Sequence, residues 1–415
     1  MRLSFKFKAN FSHKQLEIIK ELSWHTSKLY NIVNYEIREN ESKPVYTRLD
    51  KQFKTNWHCD WLHSHNRQHC IKQLSQDWKS YFASLKDFKK NPNKYKGQPQ
   101  TPNYKNLDNN SNQVIYTNLA TRIRDNNLLL SVSKEIKNKY NVDCIKFELP
   151  SAVQGIIDLD NLQQVRLKRD KLSNEWHLLI IYKVEPKDKP QSSNVMSIDL
   201  GLDNLATLIF KDTSKSYIIN GKTIKSKNSY FNKEIARLQR IRMKQVGTSK
   251  VKDTKQIRQL RIKRNNCIKD YLHKASRKII NLAIKHQVAT IVVGDIKNIK
   301  QGNNLKSFVQ IPIQCLVQLI EYKAKLAGIK LTKVNESYTS GCSAIDLELL
   351  NKANYDKSRR TTRGLFKTGN KIINADVNGS LNIMRKYLKD KCIPKMVKQI
   401  RDNGAVNSPQ RIRVA

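Results

Sequence analysis

The chain has 415 residues, with 78 Lys and Arg against 35 Asp and Glu, for a formal charge of +43. The excess runs along the whole length and calls for a polyanionic partner: contacts to phosphate release condensed counterions and relieve the repulsion among so many cations. The length allows two or three domains with a buried core. No apolar run nears the roughly 20 residues that cross a bilayer, and no secretory leader pattern is present, so a membrane partner is excluded. The expected setting is the cytoplasm, close to the nucleoid, or the nucleus of a eukaryotic host.

The first ten residues, MRLSFKFKAN, alternate apolar and polar as a half-buried strand does, and helical periodicity takes over near Ser12 and runs to about Lys90. Within that stretch WHCDWLHSHNRQHC crowds His58, Cys59, His63, His65, His69 and Cys70 together. These are zinc-ligand types, but the helical pattern around them favours packing or surface roles. The seven cysteines (Cys59, Cys70, Cys144, Cys267, Cys315, Cys342, Cys392) are scattered and never form a CxxC pair, against both a disulfide framework and a zinc ribbon. NPNKYKGQPQTPNYK, Asn91 to Lys105, marks a boundary loop. Its Lys94, Tyr95, Lys96, Tyr104 and Lys105 are candidate nucleic-acid contacts, ahead of Trp57, Trp61, Trp78, Tyr81 and Phe82, which are expected mostly as helix core.

Short β-rich runs follow at Val114 to Tyr116, Leu128 to Val132, Cys144 to Leu149, Gln164 to Arg169 and Glu175 to Val184, the spacing of a small barrel or sandwich that the first strand would join. After PKDKPQSSN the pattern changes. A strand at Val195 to Leu200 leads into a hairpin through Leu205 to Phe210 and Ser216 to Asn220, then into strongly basic helices. In the second of these Ile268, Leu272, Ala275, Ile279, Leu282 and His286 form a core stripe. The strand ATIVVGD, a one-faced helix ended by Gly328, the strand IKLTKVNE and a last helix complete the order. Three antiparallel strands with parallel strands added beside the first, covered by helices, is the RNase H-like plan. The fold class expected is multidomain α+β and α/β. A β-barrel-like module (1–10 and 106–188) is interrupted by a helical insertion (11–105), and an RNase H-like domain (189–390) and a basic tail (391–415) follow.

Two carboxylates stand out. Asp199, in SIDLGLDN, nears the end of an apolar strand, where a carboxylate must be solvated, hydrogen-bonded or bound to a cation; the bland alternative is a turn residue. Asp376, in NADVNGSLNIMRK, opens a helix, where an ordinary cap is as good an explanation as a metal.

SIDLGLDNLATL resembles the first RuvC motif of the TnpB family of RNA-guided endonucleases, and INADVNGSLNI resembles the third. QDWKSYFASLKDFKKNPNKYKGQPQTPNYK, YKAKLAGIKL and ESYTS are also similar to family segments, so the likeness covers most of the chain and extends to Fanzor proteins and type V CRISPR effectors. It implies a RuvC-type nuclease domain with a degenerate zinc-ribbon insertion. Two departures matter: Gly294 stands where the family's second acidic residue is a glutamate, and after TSGCS only Cys342 remains of four cysteines, so zinc is not expected. Asp295 follows Gly294, but strand alternation aims it at the other face unless the strand has ended. Glu336 closes the neighbouring strand about 4.8 Å away and its long side chain would enter the space left open by Gly294. This relocation resembles a known TnpB variation and the Fanzor arrangement. Asp203, Asp346 and Glu348 are expected as exposed loop acids.

The expected site is therefore Asp199, Glu336 and Asp376 holding two Mg2+ ions, with Mn2+ as a substitute. Arg359, Arg360 and Arg363 would steer a DNA strand toward it or serve as a solvated basic loop. The resemblance implies a guide RNA from the transposon's own end and double-stranded target DNA as partners, with one protein per RNA favoured. The alternatives are a nuclease-dead RNA-guided repressor and a strand-transfer transposase.

Overall fold

The computed structural model describes residues 1–108, 112–212, 215–295, 311–362, 364–389, 397–398, 402, 406 and 408–414. Arg363 and Cys392, and most of 391–407, lie outside the described residues. The chain divides into two compact units, Met1–Val184 and Glu185–Ala415.

In the first unit, strand β1 (Arg2–Phe7) is followed by α1 (His13–Glu39), α2 (Tyr46–Phe53), α3 (Trp57–Asp60) and α4 (Ser64–Lys90). A reciprocal capping box starts α1: Ser12 Oγ accepts from Gln15 N at 3.2 Å and Gln15 Oε1 accepts from Ser12 N at 2.9 Å. Strands β2 (Val114–Thr117), β3 (Thr121–Arg124), β4 (Asn127–Ser131), the short helix α5 (Lys134–Tyr140), β5 (Cys144–Glu148), β6 (Leu162–Arg169) and β7 (Trp176–Lys183) follow. The first strand does join the later ones, pairing antiparallel with β7 from Arg2↔Lys183 to Phe7↔Leu178. The strands form two sheets, β1-β7-β6-β2 and β3-β4-β5, and among the described residues no ladder closes either into a barrel. The unexpected β3 is set by a two-residue turn whose Asp125 and Asn126 both take positive φ, 48° and 60°, as tight hairpins require.

The second unit is built on one sheet: β8 (Asn194–Leu200), β9 (Asn204–Phe210), β10 (Ser216–Asn220), β11 (Val288–Asp295) and β12 (Lys330–Asn335), in the order β12-β11-β8-β9-β10 with a further strand β15 (Gln410–Ile412) on the β10 edge. β11 runs parallel to both β8 and β12, whereas β8, β9 and β10 are antiparallel. The order expected from the sequence is present. Within the expected basic tail, the three residues of β15 pair parallel with Tyr217 to Ile219, too few to show an alternation of their own. Basic helices α6 (Lys222–Val246) and α7 (Lys255–Lys285), then α8 (Ile313–Leu326), cover one face, and a hairpin of β13 (Leu365–Thr368) and β14 (Lys371–Asn374) leads into α9 (Ala375–Leu388) on the other. Gly328, at φ 74°, ends α8; a Cβ there would strike the Asp188 carbonyl, so only glycine turns the chain into β12. Among the described residues no helix is long and apolar enough to cross a membrane.

Candidate active site

The face of the sheet under α9 is defined by alternation. Val195 and Ser197 on β8, Val292 on β11 and Val334 on β12 point to it: the valines pack with Ile383 of α9, and Ser197 Oγ donates to the Ser380 carbonyl at 2.7 Å. Two residues farther along, period two puts Asp199, Gly294 and Glu336 on this same face. Asp376, in the first turn of α9, meets them from above.

The capping role open to Asp376 belongs to Asn374, whose Oδ1 accepts from the amides of Asp376 and Val377 at 3.1 Å each. The Asp376 carboxylate instead accepts from Asn204 Nδ2 at 2.6 Å and pairs with the Arg360 guanidinium at 3.3 Å. Asn204 is brought back by a turn that depends on Gly201, where a Cβ would lie 2.6 Å from the Asn204 carbonyl oxygen.

Asp199 keeps a partly exposed edge but is densely surrounded. Burial first, then the charges of Glu336 and Asp376, push its carboxyl well above the usual range. Gly379, one turn on from Asp376, makes room for it: a Cβ there would sit 2.7 Å from Asp199 Oδ2.

Glu336 lies one residue beyond β12 and folds over Gly294, whose register partner is Val334. A Cβ added at Gly294 would overlap the Glu336 carboxyl group. Among the described residues its Oε1 is buried without a hydrogen-bond donor, and burial followed by the Asp295 charge pushes the carboxyl up to about 7. Asp295 is the last residue of β11, near enough to act on Glu336 although alternation sets it on the opposite face.

A polar spine inside α9 fixes these positions, and the sequence reading missed it. Asn382 Nδ2 donates to the carbonyls of Thr339 and Cys342, both at 2.9 Å, and Asn378 bridges the Cys342 carbonyl and the Ala344 amide. Thr339 in turn holds the Glu336 carbonyl through its amide, at 3.1 Å, and its hydroxyl, at 2.8 Å. The signal available was NGSLN itself, polar residues at positions where a packed helix should show apolar ones.

Asp199, Asn204, Asp376 and Arg360, with Lys222, Lys225 and Arg411, line a cavity of about 1100 Å3. Glu336 is not part of its wall. Among the described residues no three His, Cys, Asp or Glu side chains close into a cluster that could hold a metal ion. Asp199 and Asp376 face this cavity, Asp376 paired with Arg360, and Glu336 sits beside Asp199 outside its wall.

The other candidate residues are dispersed. Arg359 is held in place: it pairs with Glu348 at 2.9 Å, donates to Thr368 Oγ1 at 2.5 Å and lies over the Phe366 ring. Asp346 and Glu348, expected as plain exposed acids, are hubs of this hairpin: Ser343 gives its hydroxyl to Asp346 at 2.7 Å and its amide to Glu348 at 2.6 Å, and Thr368 also donates to Asp346. Asp203 pairs with Lys225 at 2.5 Å. In the first unit, Lys94 and Tyr95 both bind Asp87 of α4, at 2.9 and 2.7 Å, with Lys96 exposed beside them. Tyr104 and Lys105 lie apart from these, against α1, where Arg38 covers the Tyr104 ring and Lys105 Nζ sits 4.2 Å from the Tyr30 ring centre.

Residues 179–300 match a family described as Probable transposase, and residues 314–383 match the Cas12f1-like TNB domain. The chain is similar to a CRISPR-associated endodeoxyribonuclease Cas12f1 of Sulfoacidibacillus thermotolerans, 29% identical over 362 residues and covering 81% of this chain and 80% of that one. It is also similar to the TnpB-like protein ORF457 of Acidianus two-tailed virus, 25% identical over 91% of this chain and 84% of the relative. Among solved structures, a Cas12f1–sgRNA–target DNA complex shares the mixed α+β multidomain fold, with a TM-score of 0.61 at 16% identity over 90% of this chain and 83% of that one. By sequence, and by fold, the chain is similar to the TnpB-like proteins and the Cas12f proteins.

Proposed function

We propose that this chain is an RNA-guided DNA endonuclease of the TnpB type, encoded by a transposable element, whose second unit is a RuvC-type nuclease domain. The observation that carries the proposal is the pairing of Gly294 with Glu336: a buried carboxyl group occupying the space of a missing side chain, with one oxygen lacking a donor among the described residues. An acceptor left so is costly unless a cation completes it.

Asp199, Glu336 and Asp376 are the residues that would hold divalent metal, Mg2+ or Mn2+. Their all-oxygen donor set suits hard cations, and the mutual repulsion that raises Asp199 is what a bound cation would relieve. Two such ions would supply Lewis acidity to the scissile phosphate and the attacking water. The chain's own residues orient the rest. Asn204 and Arg360 hold the Asp376 carboxylate, and Lys222, Lys225 and Arg411 line the cavity as phosphate contacts for the DNA strand. Asp295 belongs to the charge balance of Glu336 rather than to the ligand set. The partners are a guide RNA and duplex target DNA, in keeping with the names of the relatives.

Co-purification of the protein with its RNA, sequencing of that RNA, and Mg2+-dependent cleavage of a matching target test the proposal. Wild-type cleavage lost in Glu336→Ala and kept in Asp295→Ala supports it; the reverse pattern overturns the ligand assignment. A second reading, a nuclease-dead RNA-guided repressor, draws on the lack of a closed three-carboxylate cluster among the described residues. Guide-directed binding without cleavage by the wild type would establish it.

A further inference from the structure

Away from the carboxylates, α1, α3 with Trp61 just beyond it, and α5 of the first unit border a shallow aromatic hollow of about 530 Å3 that is open to solvent. Its walls are Trp24, His25, Trp57, Trp61 and Tyr140. Trp57, the first residue of α3, is 57% exposed, a large apolar ring left in water beside other rings. His25 stacks flat on Trp61, with the planes 10° apart and the centres 5.0 Å apart, and Trp57 meets His25 edge-on at 5.3 Å. The histidine is locked from behind: its Nδ1 lies 3.0 Å from Nδ1 of His58, so one ring donates and the other accepts.

The charges around the cavity identify the occupant. The one acid in its wall, Glu21, has both oxygens engaged, by Lys139 Nζ and Tyr140 Oη at 2.6 Å each. Lys20 and Lys139 line the cavity, and Lys28 stands 5.3 Å from the Trp24 ring centre. Flat π-faces inside a rim of ammonium groups match a base attached to a phosphate, the combination by which single strands are bound without pairing. Lys139 is already paired with Glu21, so Lys20 and Lys28 are the cations a phosphate would meet, and a purely apolar partner would offer them nothing.

We infer that this hollow binds an unpaired nucleotide of single-stranded nucleic acid, its base stacked on Trp57 and its phosphate held by Lys20. The inference rests on nucleic-acid binding by the chain but not on cleavage. RNA and DNA share this chemistry, and the test separates them.

The probes are a short single-stranded RNA carrying one 4-thiouridine and the same DNA sequence carrying 4-thiothymidine. Each is photocrosslinked to the full chain and the attachment point is mapped by mass spectrometry. The expected result is a crosslink at Trp57 or its cavity neighbours, with the higher yield naming RNA or DNA. Trp57→Ala should lose that crosslink and weaken binding about 10-fold, and Trp57→Phe, which keeps a π-face, should retain most of both. Matching circular dichroism spectra for the two variants show that folding is not the cause. Crosslinks confined to other regions, with Trp57→Ala affinity within about two-fold of wild type, overturn the inference. So does a Trp57→Ala variant that changes only sedimentation, which would make the surface a contact between copies. A crosslink in protein that does not cleave leaves the pocket standing and removes only the nuclease reading.

Discussion

Two groups of acids in the second unit differ in how their oxygens are satisfied. Asp346 and Glu348 receive hydrogen bonds from Ser343 and Thr368 and an ion pair from Arg359; they hold the hairpin before α9 together. Glu336 has a buried oxygen with no donor among the described residues, and Asp199 faces two like charges. Saturated carboxylates build structure, whereas unsatisfied ones facing each other are the ones proposed above to take a cation.

The sharpest way to break this comparison is to remove one acid from each group. Asp199→Ala or Glu336→Ala should reduce guided DNA cleavage by a factor of about 1000 or more with binding to guide RNA retained, measured by single-turnover cleavage beside filter binding. Loss of RNA binding in step with cleavage would place these acids in the structural group.

Next in size is the glycine exchange. Gly294→Ala should lower cleavage by displacing Glu336, and the double change Gly294→Glu with Glu336→Gly should recover much of it, since the carboxylate then starts from the other strand. Two independent, additive losses would show that the positions do not share a space.

Glu348→Ala should leave cleavage chemistry in place but cost about 1–3 kcal/mol, because Arg359 and the Ser343 amide lose their acceptor. Melting of the variant, followed with and without Mg2+, checks this: Mg2+ should raise the wild-type and Glu348→Ala melting temperatures and have no such effect on Glu336→Gln.

The smallest effect concerns the first unit. Burial, then the neighbouring His58, depresses His25 from 6.5 to about 4. A depressed folded value means the neutral form is favoured in the native state, so the stabilisation is complete above pH 6.5 and is lost as pH falls toward 4. Denaturation curves at pH 7 and 5 should diverge in the wild type by on the order of 2 kcal/mol and by less in His25→Phe.

How much of this was legible beforehand follows the range of the interactions. The strand order of the second unit and the one-faced α8 could be read because apolar period is local: Leu316, Val317, Ile320 and Ala324 are all buried as their spacing predicts. In α7 the stripe drifted, with Ile280 and Ala283 buried in place of Leu282, because an alternating four-three repeat slides around a 3.6-residue helix. The relation of Gly294 to Glu336 was legible because neighbouring strands fix what lies beside a missing side chain. Arg411 in the cavity and Asn204 beneath Asp376 were not, since both depend on backbone pairing and turns between residues far apart in sequence. The tryptophans were set behind Tyr95 and Tyr104 for a similar reason: nothing local in WHCDW tells that Trp57 faces water while its neighbour His58 is buried.

The short β15 strand joins two properties that are usually separate. It covers the open backbone groups of β10, which would otherwise be a template for pairing with other chains, and the same three residues carry Arg411 into the cavity wall. Colloidal behaviour and substrate handling are thereby tied to one segment: a change that unseats it should make the protein aggregate more readily and grip DNA less firmly at once, so solubility becomes an indirect gauge of whether the cavity is fully assembled.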